Sequence, residues 1–538
     1  MSSSTTFDIV VLGSGGAGCA AALAGALMGQ SVCLVEKDDL LGGGTADSLG
    51  TFWIASNNLA AAAGLSDDLA GALEYAHYVG GGQEVAENLE AYIRQGARVL
   101  DALLDAGVGL QLALGLPDYF YPAGPHSCGD GRRMIEPKPV RRSELGAYAN
   151  RIRQSVHNAP GVSWSDSVGW GGFANRRNWP QAELEARVRD GVLACGEALI
   201  GQFARKMIET GNVTIMTGQQ TEGLIFDDGC VVGVRCPGGD ALVARKGVIL
   251  ATGGYEGNAD LVRRFEGFPQ WINPFGPRNE GDALTYGAAI GASVARIAVN
   301  NSLFIGTEVP GRPGAFFSVG LRGLPMPGAI AVNQRGERFG DETQFQDMVM
   351  ALQHYDRKVR QFSNLPAFMV FDDRFRARYP LMDRLPGQPI HPDIASGRSL
   401  AELAARIGID PQGLQATVER FNADVALGVD TAFGRGKSAF SRNNAGDSEL
   451  KLNPQLAPVD TAPFYALPLR MGGVCSAGLL TDPTARVLDG RGAAIPGLYA
   501  CGNAAAPTFL GVGYQGGSSI GAGIVFGFLA AEDAAHAH

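Results

Sequence analysis

One stretch near the start constrains the fold of this chain more than any other. Phe7-Asp8-Ile9-Val10-Val11-Leu12 is an apolar run of strand type, and Gly13-Ser14-Gly15-Gly16-Ala17-Gly18 follows it as a Gly-x-Gly-x-x-Gly turn. An Ala-rich helical segment runs on to Gly29, and a second strand, Ser31-Val32-Cys33-Leu34-Val35, leads into Glu36. In such a βαβ unit Gly13 allows the tight turn, Gly15 lets the backbone approach a pyrophosphate, and Gly18 lets helix and strand pack closely. The free N–H groups at the helix N-terminus attract phosphate. Glu36 stands 23 residues after Gly13, where a carboxylate accepts hydrogen bonds from a ribose. A bound dinucleotide is expected, with Gly13, Ser14, Gly15, Gly16, Ala17, Gly18, Glu36 and Lys37 against it.

Composition removes other classes. The net charge of −10, from 44 basic and 54 acidic residues, disfavours nucleic acid or an anionic membrane as the main partner. The longest uninterrupted apolar runs fall short of the roughly 18 residues that a membrane span needs, so no integral membrane segment is expected. The first residues carry no Lys or Arg and run straight into a strand, unlike a secretory signal. The eight cysteines are scattered without a C-x-x-C pair and the seven histidines without ligand spacing. Reduced thiols, a cytoplasmic location and no metal site are expected.

Past the opening unit, Leu41-Gly42-Gly43-Gly44-Thr45-Ala46-Asp47-Ser48 is a small-residue loop placed to crowd a cofactor. Helical patterns fill about 66–79 and 85–106, and again 180–210. Between them, 107–180 is irregular and aromatic, with Tyr119, Phe120, Tyr121, Trp164, Trp170, Phe173 and Trp179. These rings either line an apolar pocket or anchor long loops. A meander is expected at 213–216, 223–226 and 231–235, with Asp228-Gly229 as a hairpin turn. The apolar strand Gly247-Val248-Ile249-Leu250 then ends in Ala251-Thr252-Gly253-Gly254-Tyr255-Glu256-Gly257-Asn258.

This order resembles the two-dinucleotide-binding-domain flavoproteins, in which an N-terminal βαβ unit, a meander and an Ala-Thr-Gly-Gly turn share one ligand. The third element of that plan is also present. Gly497-Leu498-Tyr499-Ala500-Cys501-Gly502-Asn503 looks like the strand that returns to the flavin, and Gly516-Gly517-Ser518-Ser519-Ile520 opens a last helix whose N-terminus can sit beside it. The resemblance implies FAD, with further contacts from Gly43, Gly44, Thr45, Ala46, Ser48, Ala251, Thr252, Gly253, Asn258, Asp282, Gly502, Asn503, Ser518, Ser519 and Ile520. Residues 43–52 contain no histidine, so the FAD is expected to be non-covalent. The fold class is therefore α/β: a Rossmann-type FAD-binding domain with an inserted α+β capping and catalytic domain. The expected division is 1–299 and 464–538 for the FAD domain and 300–463 for the insertion.

A cap inserted in this way resembles the fumarate reductase/succinate dehydrogenase flavoprotein superfamily, and within it the 3-ketosteroid dehydrogenases. Leu116-Pro117-Asp118-Tyr119-Phe120, Gly253-Gly254-Tyr255-Glu256-Gly257-Asn258, Gly336-Glu337-Arg338-Phe339 and Gly478-Leu479-Leu480-Thr481-Asp482-Pro483 carry that likeness. It implies an oxidoreductase that introduces a C=C bond next to a ketone. The carbonyl oxygen must be held as it becomes enolate-like, a base must take the α-proton, and hydride leaves from the β-carbon to flavin N5. The resemblance matches Tyr514 and Gly517 to the carbonyl donors and Tyr119 to a supporting tyrosine; the loop between Tyr514 and Gly517 is one residue shorter than in the 1,2-dehydrogenating branch.

One position departs. The stretch Asp341-Glu342-Thr343-Gln344-Phe345-Gln346 puts Gln346 where family members carry the proton-transferring tyrosine or arginine. An amide orients groups but takes no proton at neutral pH. Tyr121, Tyr255, His126 and His354 are then candidates for the missing base. No C-x-x-C-H or iron–sulfur cysteine run occurs, so electrons are expected to leave to an external acceptor, with a small cyclic or steroidal ketone as substrate. Two alternatives stay open: an ene-reductase of an activated alkene, and a flavoprotein that binds ligand without turnover.

Overall fold

The computed structural model describes residues 4–268, 271–275, 278–297, 299, 303–310, 316–382 and 384–537. Asn300, the expected first residue of the insertion, lies outside them. The first sheet is built on the strand Ser4–Leu12. Val32–Val35 pairs with it on one side and Ala241–Leu250 on the other, both parallel. Ala494–Ala500 extends the sheet beyond Ala241–Leu250, and Val213–Met216 extends it beyond Val32–Val35. Val10, Val11 and Leu12 are buried on both faces, as parallel strands between helix layers must be.

The registers bring the strand ends level. Leu12 lies opposite both Val35 and Leu250, Leu250 opposite Ala500, and Val35 opposite Met216. The residues that follow, Gly13, Glu36, Ala251 and Cys501, therefore leave the sheet along one edge. Crevices outside the carboxyl ends of parallel strands are where open α/β sheets bind ligands.

Val213–Met216 departs from the expected meander. It is parallel to Val32–Val35 at the sheet edge, and the antiparallel meander is Gly223–Asp227, Cys230–Arg235 and Ala241–Leu250. The Asp228-Gly229 turn joins its first two strands, with φ of 44° and 80°, the doubly positive geometry that a tight hairpin needs.

The helix Gly16–Leu27 packs along the final helix Ser518–His536, and both back the first sheet. Small residues allow this approach: a Cβ on Gly527 would lie 2.4 Å from the Ala17 carbonyl oxygen. Among the described residues the final helix is long and apolar enough to cross a membrane by length and mean hydropathy, but 72% of that window is buried inside the protein.

The second sheet is antiparallel and runs Phe316–Phe317, Leu303–Glu308, Phe464–Gly473, Ala367–Asp372, Ala329–Val332. Phe464–Gly473 had been expected on the returning side of the FAD domain. It is instead hydrogen-bonded between two strands of the insertion, so the chain returns to the first sheet only after Gly473. The helix Pro411–Leu427 covers this sheet with Leu414, Val418 and Phe421, all buried. A buried ion cluster ties the unit together. Arg338 donates to Glu342 at 2.7 Å and to Asp430 at 3.0 Å, and Arg435 donates to the carbonyls of Ala329 and Met326.

Candidate active site

The level strand ends open on a cavity. At one end it is walled by Gly13, Ser14, Gly15, Gly16, Ala17, Glu36 and Lys37, and at the other by Gly502, Asn503, Tyr514, Ser519 and Ile520. Gly43, Gly44, Thr45, Ser48, Ala251, Thr252, Gly253 and Asp282 line the middle.

Each glycine of the fingerprint has its own reason. Gly13 has φ of 100°, and a Cβ there would be 2.3 Å from the Ala251 carbonyl oxygen. A Cβ on Gly18 would be 1.9 Å from the Gly13 carbonyl oxygen, so Gly18 serves packing and does not face the cavity. At Gly15 the nearest atom would be Thr45 Oγ1 at 3.7 Å, so the backbone there is open to a ligand. Glu36 holds the turn as well as the cavity floor. Its carboxylate accepts from Ser14 N at 3.0 Å, Ser14 Oγ at 2.7 Å and Asp38 N at 2.9 Å. Lys37 pairs with Asp282 at 2.8 Å and Glu280 at 2.9 Å.

Besides Gly18, three expected contacts sit off the cavity. Ala46 is buried behind Gly42. Asn258 caps the helix Ala259–Phe265, its Oδ1 accepting from Asp260 N and Leu261 N. Ser518 is buried beside Trp53 and Tyr75. Sequence reading missed Arg153, Gln219, Thr221, Phe275, Arg278, Asn279, Phe304 and Val474 on the lining. Phe304 sits on the strand Leu303–Glu308 and the others in segments without a motif.

At the far end of the cavity the aromatic segments meet. The Tyr119 ring lies 4.3 Å from Phe440, 5.6 Å from Phe345 and 6.1 Å from Tyr514, between centroids. Gln515 holds this group together. Its Oε1 accepts from Tyr119 N at 3.0 Å and Tyr75 Oη at 2.5 Å, and its Nε2 donates to Gly516 O at 3.1 Å. Asp118 fixes the other side of the Tyr119 segment by accepting from Trp53 Nε1, Cys128 N and Arg133.

The last helix starts at this point. Gly517 is its N-cap with φ of 84°, and a Cβ there would be 2.8 Å from Trp53 N. Burial pushes the Tyr514 phenol up to about 12, and the neighbouring Gly517 backbone offsets part of that rise. Burial, with Tyr514 alongside, pushes Tyr119 higher still. Both phenols are hydrogen-bond donors throughout the physiological range. Gln346, on the helix Phe345–Leu352, donates from Nε2 to the Tyr514 carbonyl oxygen. It holds the loop that carries Tyr514.

The four candidate bases, Tyr121 among them, are not assembled here. Tyr121 packs over Gly129 in a separate surface hollow with His126. His126 pairs with Glu74, and His354 is exposed against Ser363. Tyr255 is buried beneath the first sheet, donating to Glu266 at 2.6 Å. Each follows a motif or aromatic segment in sequence, but the loops carry these side chains away from the cavity.

The model of the FAD binding domain family matches residues 8–520. The chain belongs to this family. It is 36% identical, over 98% of its length and 92% of the relative's, to 4-oxocyclohexanecarboxylate 2-dehydrogenase of Sinomonas cyclohexanicum. It is 33% identical, over 98% and 97%, to 3-oxosteroid 1-dehydrogenase of Mycobacterium tuberculosis. The structure of 3-ketosteroid delta1-dehydrogenase from Sterolibacterium denitrificans, in complex with 1,4-androstadiene-3,17-dione, superposes with a TM-score of 0.89 at 28% identity, covering 98% of this chain and 99% of that one. The protein is thus a flavoprotein of the 3-ketosteroid dehydrogenase-like branch, an FAD-dependent oxidoreductase acting on CH–CH groups.

Proposed function

We propose that this protein desaturates a small cyclic ketone, with the Tyr514 hydroxyl and the Gly517 N–H as the two donors to the carbonyl oxygen. The observation that supports the reading is Tyr514 on the wall of the cavity, three residues before Gly517, the N-cap of the final helix. Preorganised donors aimed at an oxygen that gains charge are the main lever for enolisation. The helix N-terminus adds a favourable field for the same charge. Tyr119 supports the pocket through its ring contacts, and its phenol is held against Gly516, where an added Cβ would meet Tyr119 Oη at 2.5 Å. Gln346 positions the Tyr514 loop and takes no proton, so the ketone must be acidic enough at its α-carbon to enolise with donors as the main help.

The cavity fits FAD in its glycine cradle, with Gly13–Lys37 taken as the nucleotide half and Gly502–Ile520 as the other. When bound, FAD supplies the hydride acceptor. No histidine or cysteine lines the cavity among the described residues, which supports non-covalent binding. All eight cysteines are free, in keeping with a reducing, cytoplasmic setting. An external acceptor completes the cycle.

The relatives name two substrate classes, steroids and a cyclohexanone carboxylate, and we favour the smaller ring. The test is anaerobic mixing of the holoenzyme with 4-oxocyclohexanecarboxylate, cyclohexanone and a 3-ketosteroid, following the visible absorbance of the flavin. Bleaching by the cyclohexanones is expected. Bleaching by the steroid alone overturns the substrate class, and no bleaching by any ketone overturns the desaturase reading.

A further inference from the structure

The second sheet sends one aromatic pair into the cavity. Phe275 and Phe304 both line it, their rings edge to face with centroids 5.9 Å apart. Phe304 belongs to the strand Leu303–Glu308. Phe275 is carried by 271–275, and this stretch is fastened to the neighbouring strand Phe464–Gly473. Ile272 N donates to the Met471 carbonyl at 2.9 Å, and a Cβ on Gly472 would lie 1.9 Å from the Ile272 carbonyl oxygen. Asn273 Oδ1 accepts from Phe275 N at 3.0 Å, which fixes the turn that presents the ring. On the cofactor side Trp271 Nε1 donates to the Glu256 carbonyl at 3.2 Å.

From there the Phe275 ring reaches the small-residue loop of the FAD unit at Gly44. The three atoms nearest to a Cβ on Gly44 would all belong to Phe275, at 3.1 to 3.3 Å. Gly44 lies in the short helix Gly43–Asp47 with φ outside the left-handed region, so the backbone does not demand glycine there and the ring does. The next residue, Thr45, accepts on Oγ1 from Gly16 N at 3.0 Å. The contact therefore joins the second sheet to the loop that rests on the Gly-x-Gly-x-x-Gly turn.

We propose that Phe275 is a latch for the cofactor: backed by Phe304 and closed on Gly44, it holds FAD in the cavity and sets the rate at which FAD leaves. Its contribution is apolar and steric. FAD placed from Gly13–Lys37 to Gly502–Ile520 passes the Gly43–Thr45 wall, and release requires the ring to leave Gly44. The inference rests on FAD in this cavity and not on which ketone is oxidised.

The test follows FAD release from the holoenzyme after rapid dilution, by the rise of free-flavin fluorescence, in wild type, Phe275→Ala, Gly44→Ala and the double variant. Release from Phe275→Ala is expected to be about 10-fold faster, because changes within one binding site fall mostly on the off-rate. Gly44→Ala pushes the ring off its seat. It is expected to speed release several-fold by itself and to add nothing to Phe275→Ala, where the atoms it would meet are gone. Release from Phe275→Ala at the wild-type rate overturns the latch. So does an effect of Gly44→Ala that is equal in both backgrounds, nil included. Where Phe275→Ala yields no folded protein, Phe304→Leu decides, since it keeps Phe275 and removes the ring behind it: faster release supports the latch and wild-type release overturns it. A wild type that takes up no FAD overturns the latch together with the cofactor reading. One that holds FAD and oxidises no ketone fails the desaturase reading alone, and the release rates still decide the latch.

Discussion

Tyr514 is 8% exposed and lines the cavity, its ring packed against Tyr119 and Phe345. Replacement by Phe removes one donor and leaves the ring packing, so turnover is expected to fall by roughly 10²–10³-fold with little change in melting temperature. Steady-state kinetics of Tyr514→Phe checks this, and a rate within a few-fold of wild type would remove the hydroxyl from the mechanism. The same burial sets an alkaline limit. The folded phenol titrates at about 12 against an ordinary 10.0, so folding favours the protonated form. The stability it contributes is complete below pH 10 and is lost as pH rises from 10 to 12. A melting series across that range should decline less steeply in Tyr514→Phe than in wild type. Tyr119 and Tyr514 were legible in the sequence because each sits in a motif. Gln515 was not, because its contacts to Tyr119 and Tyr75 span 396 and 440 residues.

At the scale of elements, the final helix and the loop before it decide where the donors point. A Cβ on Gly516 would lie 2.3 Å from the Tyr119 ring, so Gly516→Ala must push Tyr119 or the loop aside. Overpacking of this kind costs about 1–3 kcal/mol, and the displacement should lower kcat more than it raises KM. Kinetics paired with a denaturant melt separates the two effects. Gln346→Leu is expected to be milder, because it removes a single hydrogen bond to the Tyr514 carbonyl, worth about 1 kcal/mol. Its turnover should fall with the melting temperature nearly kept, whereas a residue that transferred the proton would lose activity far more steeply. The βαβ unit and the last helix were readable because local pattern determines them. Two strands were misplaced for the opposite reason. Val213–Met216 and Phe464–Gly473 have strand composition, but which neighbour each pairs with depends on chain segments far away.

The whole molecule rests on two centres. In the inserted unit it is the ion cluster of Arg338, Glu342, Asp430 and Arg435, where Glu342 is fully buried. In the cofactor unit it is the convergence of segments that lie hundreds of residues apart. Gly502 comes so close to the helix Gly16–Leu27 that an added Cβ would be 3.0 Å from Ala17 Cβ, and Gly523 closes over the same atom at 3.3 Å. What lies between them along the strand ends is the cavity, lined by polar backbone of Gly13–Gly16, Ala251–Gly253 and Ser519. A cofactor held there would touch these segments together and none of them in the unfolded chain. Its binding energy is therefore folding energy, about 2.7 kcal/mol at a free concentration one hundred times Kd. Removing FAD should lower the melting temperature and adding it back should restore it. AMP should restore only part, because on the proposed placement it would reach Gly13–Lys37 but not Gly502–Ile520. Calorimetric melts of the three forms measure this order. Equal melting with and without FAD would mean that the segments hold one another in place unaided, and that the cavity is rigid before the cofactor arrives.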